Sequence, residues 1–208
     1  MLIKKILWEL LYLVYKFCYF RNKTIKVLNI KNFPKAPFIV AASHRHAWDG
    51  PLGWFVTYQY LRKPIHYFVN KQLFTGLGKY FFLIYEHIPV QSGLKSVNKK
   101  ALKTSSELLS SKHIIAITPY PYDLQKKKYV IYMGIVKLLQ QNNVPYVPVN
   151  IAVKEKWKSR SYYDRNFDYV RINIGMPQKN ILYRKKLTKM ESIQYTKGVM
   201  NKIARLQG

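Results

Sequence analysis

Phe38-Ile39-Val40-Ala41-Ala42-Ser43-His44-Arg45-His46-Ala47-Trp48-Asp49-Gly50 decides how the rest of the chain is read. The first five residues form an apolar run bounded by polar ones, the pattern of a strand buried on both faces. Pro51-Leu52-Gly53-Trp54-Phe55 follows as the opening of a helix. The junction between them carries two of the chain's five histidines and one of its nine carboxylates. A neutral imidazole takes a proton from a hydroxyl near pH 7, because the ordinary histidine pKa is about 6.5. It needs a partner on its other nitrogen to fix the tautomer and hold the imidazolium. Asp49 serves His44, five residues back, if the turn curls, or His46, three back on a helical turn. A structural reading of the same residues has His44 ending the strand and Asp49 capping the helix.

Outward from this junction the chain alternates strand and helix. Thr24–Ile30 reads as a strand, 51–62 as a helix ending before Pro64, Ile65–Val69 as a strand, and 70–82 as a helical or loop segment rich in aromatics. Glu86–Val90 reads as a strand, 94–111 as a helix, Ile114–Ile117 as a buried strand, and Thr118–Asp123 as a loop broken by two prolines. A helix over Ile131–Gln141 stops at Asn142-Asn143, a strand covers Val144–Val153, and 154–168 reads as a mobile loop. A last strand, Tyr169–Ile174, precedes a closing amphipathic helix over 187–206. The expectation is an α/β fold: a single domain over 24–208, with a mostly parallel central sheet flanked by helices.

Residues 1–23 are different. Ile3, Ile6, Leu7, Leu10, Leu11, Val14, Phe17 and Cys18 recur at helical spacing, but Lys4, Lys5, Glu9 and Lys16 interrupt the run. A spanning helix needs about 20 mostly uncharged residues, and no small-residue cleavage site follows. The segment is expected to be an amphipathic membrane-interface helix, its apolar face down. The other use of such a face is packing on the domain core.

The whole chain of 208 residues is 49% apolar and carries a formal charge of +27, which calls for an anionic partner. Eighteen tyrosines and ten phenylalanines suit a bilayer interface or stacking on bases. The basic residues are spread along the chain without a recognition motif, so no nucleic acid is expected. Single Cys18 excludes an internal disulfide and any cysteine zinc site. A reducing compartment is expected, and no metal is assigned.

The order of these pieces resembles the glycerolphosphate and lysophosphatidic acid acyltransferase family. Its first signature, a His, four residues and an Asp, is matched by His44 and Asp49. Phe68-Val69-Asn70-Lys71-Gln72-Leu73-Phe74, then His87-Ile88-Pro89-Val90, Gly134, Val144-Pro145-Tyr146-Val147-Pro148-Val149 and Ile174-Gly175-Met176-Pro177 are similar to later blocks. The resemblance spans roughly residues 36–178. It implies O-acyl transfer from acyl-CoA or acyl carrier protein to a hydroxyl of a lysophospholipid, glycerolipid or related acceptor. The implied catalytic pair is His44 as general base and Asp49 as its orienting carboxylate, with no other cofactor.

Two blocks depart from the family. After Ile-Pro-Val it usually has Asp-Arg, and this chain has Gln91-Ser92. Its third block is usually Phe-Pro-Glu-Gly-Thr-Arg, and here Thr118-Pro119-Tyr120-Pro121-Tyr122-Asp123 keeps only the proline. A lost guanidinium is not replaced in kind by lysine. The acceptor contacts assigned in its place are Lys71, Gln91, Ser92, Tyr120, Tyr122 and the triplet Lys126, Lys127 and Lys128, the triplet serving otherwise as a solvated loop. A family member that has lost activity and only binds lipid is the alternative. A peripheral or monotopic protein on the cytoplasmic side of an anionic membrane is the expected setting.

Overall fold

A computed structural model describes residues 2–44, 49–91, 95–119, 122–123, 128–129, 131–155 and 167–207. Helix α1 (Leu2–Val14) continues as a π-helical turn over Tyr15–Tyr19. Then come β1 (Thr24–Leu28), β2 (Phe38–Ala42), α2 (Asp49–Leu61), β3 (Ile65–Asn70), α3 (Gly76–Ile84) and β4 (Ile88–Val90). The second half holds α4 (Lys95–Ser110), β5 (Ile114–Ile117), β6 (Tyr122–Asp123), β7 (Lys128–Tyr129), α5 (Gly134–Gln141), β8 (Tyr146–Glu155), β9 (Phe167–Ile174) and α6 (Lys189–Ala204).

Seven strands form one sheet in the order β1-β9-β8-β2-β5-β3-β4. Five of them, from β8 to β4, run parallel. β9 is antiparallel to β8 and carries β1 parallel to itself, so this pair opposes the rest. The chain travels outward from β2 with α2 on one face and returns through β5 to β8 with α4 and α5 on the other. Reversing direction while keeping one crossover hand forces the helices onto opposite faces. β2 lies centrally, and all five of its residues are buried.

Phe38, Val40 and Ala42 face a core shared with α1 and α2, and Ile39 and Ala41 face one shared with α4, α5 and α6. α2 lies between the sheet and α1. Its apolar residues therefore run around the helix instead of along one stripe, with Leu52, Trp54, Phe55, Val56 and Tyr58 all buried. Tyr12 of α1 stacks on Phe55 at 5.3 Å, and Trp54 stacks on Tyr58 at 5.0 Å. α5 has eight residues, too few to be stable alone. It fully buries Ile135, Val136, Leu138 and Leu139, each contributing roughly 1.5–3 kcal/mol. Its C-terminal carbonyls are met by Asn142 Nδ2, which donates to Leu138 O at 2.9 Å, and by Asn180 Nδ2, which donates to Leu139 O at 2.8 Å.

Several boundaries differ from the sequence reading. α2 begins at Asp49, not Pro51, because a proline in the first turn has no N–H to waste. The 70–82 stretch resolves into a 3₁₀ turn over Lys71–Leu73 and then α3. The β4 strand is only Ile88–Val90, because Glu86 takes a left-handed turn at φ 54°. α5 starts at Gly134, three residues late, where a glycine lets the helix approach β5; a Cβ there would lie 2.8 Å from Ile117 Cδ1. The loop expected over 118–123 contains β6, which pairs with β7 in a small hairpin. The expected loop over 154–168 is strand at both ends, since β8 and β9 pair as far as Glu155 and Phe167. Residues 156–166 lie outside the described residues.

α1 has two apolar faces. Trp8, Leu11, Tyr12 and Tyr15 pack on the core, while Ile3, Ile6, Leu10, Leu13, Val14 and Phe17 are exposed. Glu9 accepts from Tyr58 Oη at 2.9 Å, Tyr85 Oη donates to Leu7 O at 3.2 Å, and Lys4 pairs with Glu86. One apolar face of this helix thus packs on the core, and the opposite one is exposed. Among the described residues, no helix is long and apolar enough to cross a membrane.

Candidate active site

Parallel strands present their carboxyl ends at one edge of the sheet, and a central strand there has loops on both sides. β2 is that strand. Ser43 extends it by one residue: its N–H donates to Val149 O at 3.0 Å, and its Oγ accepts from Ile151 N at 2.8 Å. The backbone entering His44 is therefore anchored to β8.

Asp49 is the first residue of α2, where the helix dipole favours a carboxylate. His44 Nδ1 lies 3.3 Å from Asp49 Oδ2, with the Asp49 side chain 5% exposed and that of His44 26% exposed. The geometry has an N–H on Nδ1 donating to the carboxylate. In that tautomer the lone pair of the neutral ring is on Nε2, the atom that accepts a proton.

Tyr67 and Gly53 meet near Asp49, and the sequence reading assigned neither to the site. Tyr67 of β3 is pushed far above the ordinary tyrosine range, first by burial and then by the Asp49 charge. Its hydroxyl sits against α2 at Gly53, where a Cβ would lie 2.3 Å from Tyr67 Oη. Gly53 is thus the gap in the first turns of α2 that admits the phenol beside Asp49. Tyr67 is held in turn by its N–H, which donates to His87 Nδ1 at 3.3 Å. Burial holds His87 down to about 3, so it accepts as a neutral ring. A small residue four after the Asp was the available signal, but it has meaning only when β3 is known to lie underneath.

The other assigned residues divide by strand. Lys71 is exposed in the 3₁₀ turn after β3, and Gln91 follows β4, so both stand at the carboxyl edge with His44. The strand order puts β3 two strands and β4 three strands from β2. At a spacing of about 4.8 Å that is roughly 10 Å and 14 Å across the sheet. Gln91 has its backbone clamped by Asn98, whose Oδ1 accepts from Gln91 N at 3.1 Å and whose Nδ2 donates to Gln91 O at 3.0 Å. Thr118-Pro119 leaves β5, the strand next to β2, and Pro119 O accepts from Tyr132 N at 3.0 Å. Tyr122 and Lys128 are described only as backbone, in β6 and β7. His46, Ser92, Tyr120, Lys126 and Lys127 lie outside the described residues. The aromatics Tyr12, Tyr15, Phe20, Trp54, Phe55, Tyr58 and Tyr85 are packed together as core.

The family model described as Acyltransferase matches residues 24–152. No curated protein sequence matches the chain. Among solved structures, the chain is similar to the 1-acyl-sn-glycerophosphate (LPA) acyltransferase PlsC from Thermotoga maritima. The TM-score is 0.63 at 16% identity, over 99% of this chain and 81% of that one. That likeness is one of fold.

Proposed function

Because the chain belongs to the acyltransferase family, we propose that it is an O-acyltransferase moving a fatty acyl group from a thioester donor to a hydroxyl of a lysophospholipid or related glycerolipid. The observation that carries this reading is the Nδ1–Oδ2 contact of 3.3 Å between His44 and buried Asp49 at the carboxyl end of the central strand. His44 Nε2 takes the proton of the acceptor hydroxyl. The oxygen attacks the thioester carbonyl, and Asp49 stabilises the imidazolium that forms. Backbone N–H groups in the first turn of α2 hold the oxyanion. The tetrahedral intermediate collapses with loss of the thiolate, which takes up the proton from His44. No acyl-enzyme is needed for this route.

The exposed face of α1 enters the interface of an anionic leaflet, with the +27 charge drawing the protein to it. The same charge attracts the phosphates of acyl-CoA or an acidic acyl carrier protein. Lys71, at the same edge as His44, contributes positive charge toward the acceptor headgroup. The departure at Gln91-Ser92 and at 118–123 supports an acceptor whose headgroup differs from the family's usual phosphate. Acyl transfer from acyl-CoA and acyl carrier protein to lysophospholipid, glycolipid and glycerol phosphate acceptors tests the reading. Turnover with one acceptor, lost in His44→Ala, is expected. Turnover unchanged in His44→Ala would overturn it, and loss on His46→Ala alone would reassign the base. An absence of turnover with every acceptor, alongside vesicle binding, would favour a lipid-binding protein without activity.

A further inference from the structure

Three of the five histidines stand at the opposite edge of the sheet, where strands begin. His66 is the second residue of β3, His113 precedes β5, and Glu86 and His87 precede β4. Since β5, β3 and β4 are neighbours in that order, three successive helix-to-strand turns converge on one point. We propose that His66, Glu86 and His113 form a divalent-metal site of the zinc type, distinct from the His44–Asp49 pair.

One ligand atom from each of the three lies within 4.8 Å of the others. His66 is fully buried, and His66 Nε2 lies 2.7 Å from His113 Nδ1. His66 Nδ1 faces two backbone carbonyls, Tyr85 O at 3.2 Å and Glu86 O at 3.1 Å. A carbonyl only accepts, so the proton of neutral His66 is on Nδ1 and its lone pair is on Nε2. His113 Nδ1–H then donates to that lone pair. A ring whose far N–H is fixed by backbone carbonyls is the arrangement that orients a metal-binding imidazole. Zn–N bonds of about 2.0–2.1 Å set tetrahedral nitrogens roughly 3.3 Å apart, so the two rings need to part by about half an ångström. The ion replaces the bridging hydrogen, and the His113 proton moves to Nε2 through solvent, with no net release. Glu86 supplies the oxygen ligand, and water fills the fourth position.

The carboxylate already attracts a cation, since Lys4 of α1 pairs with it. The Glu86 side chain is 28% exposed and His113 is part-buried, so the outer side of the cluster is open to solvent. Glu86 also occupies a left-handed backbone position, φ 54°, that a glycine would take at lower cost. Two nitrogens and one oxygen select zinc, cobalt or nickel over magnesium, which wants oxygen alone.

The test uses the full chain without a histidine tag. Zn²⁺ is titrated calorimetrically and by melting temperature, and Co²⁺ by the visible absorption of a tetrahedral site. One equivalent of Zn²⁺ should bind and raise the melting temperature, while Mg²⁺ does neither. His113→Ala and Glu86→Gln, both at part-exposed positions and so able to fold, should weaken Zn²⁺ by about tenfold or more. Lys4→Met should tighten it by removing the competing ammonium, and His44→Ala should leave it unchanged. No saturable Zn²⁺ binding, equal affinity in His113→Ala and Glu86→Gln, or loss of binding in His44→Ala would each overturn the site.

Discussion

Asp49→Asn isolates the electrostatic part of the proposed mechanism, because it changes charge at constant shape at a buried carboxylate. When His44 becomes cationic, the Asp49 carboxylate stands 3.3 Å away. Opposite unit charges at that distance attract by about 5 kcal/mol at an effective dielectric constant of about 20. The His44 side chain is a quarter exposed, so solvent screening reduces this to about 3–5 kcal/mol. The amide also offers an N–H to Nδ1, which favours the tautomer with the proton on Nε2, where the base must be free. The expected loss in kcat is therefore about 10²–10⁴-fold. KM should change little, because the charge develops only in the transition state. The assay is steady-state acyl transfer with the best acceptor, resolving kcat from KM, with melting temperature as a check on folding. A kcat within about threefold of wild type in a folded Asp49→Asn protein would refute the reasoning.

Other expectations follow from packing. Gly53→Ala places a Cβ 2.3 Å from Tyr67 Oη and should destabilise by about 1–3 kcal/mol. Tyr67→Phe should rescue it, because the next ring atom is then 3.5 Å away; denaturant unfolding of the double-mutant cycle checks this, and no rescue would mean α2 itself cannot move. Ile6→Asp with Leu10→Asp, on the exposed face of α1, should lower affinity for anionic vesicles by tenfold or more per residue, since each buried side chain contributes about 1.5–3 kcal/mol; the melting temperature should hardly move, whereas Trp8→Ala, on the inner face, should lower it. Thr188→Ala removes the capping box of α6, in which Thr188 N donates to Glu191 Oε2 at 2.7 Å, and should cost about 1 kcal/mol at neutral pH. The Thr188 hydrogen bonds hold the Glu191 carboxyl below its ordinary value. This part of the stability is therefore present above the ordinary carboxylate range and lost as pH falls through the lowered value. The difference between wild-type and Thr188→Ala melting temperatures should narrow in acid but persist, because Thr188 Oγ1 still accepts from Glu191 N when the carboxyl is protonated.

The centre of the sheet was legible because β2 and β5 are buried on both faces. Phe38–Ala42 and Ile114–Ile117 must be unbroken apolar runs in order to pack between two helical layers, and the sequence carries that requirement directly. The contact of His44 with Asp49 was legible through the family resemblance, since spacing alone left His46 open beside His44. Helix starts were harder. Pro51 marked α2 two residues late and Gly134 lies three residues inside the predicted α5, because first-turn residues obey capping rules more than periodicity. The two apolar faces of α1 were merged into one stripe, since Leu7 and Leu11 differ from Ile6 and Leu10 only in what lies opposite them. Local sequence thus determined most elements and brought His44 and Asp49, five residues apart, within reach of each other. The tertiary structure alone decided that Tyr67 fits against Gly53, and that His66, Glu86 and His113 meet. Those contacts join residues 14 to 47 positions apart, and they exist only because the strand order β2-β5-β3-β4 is not the order of the chain.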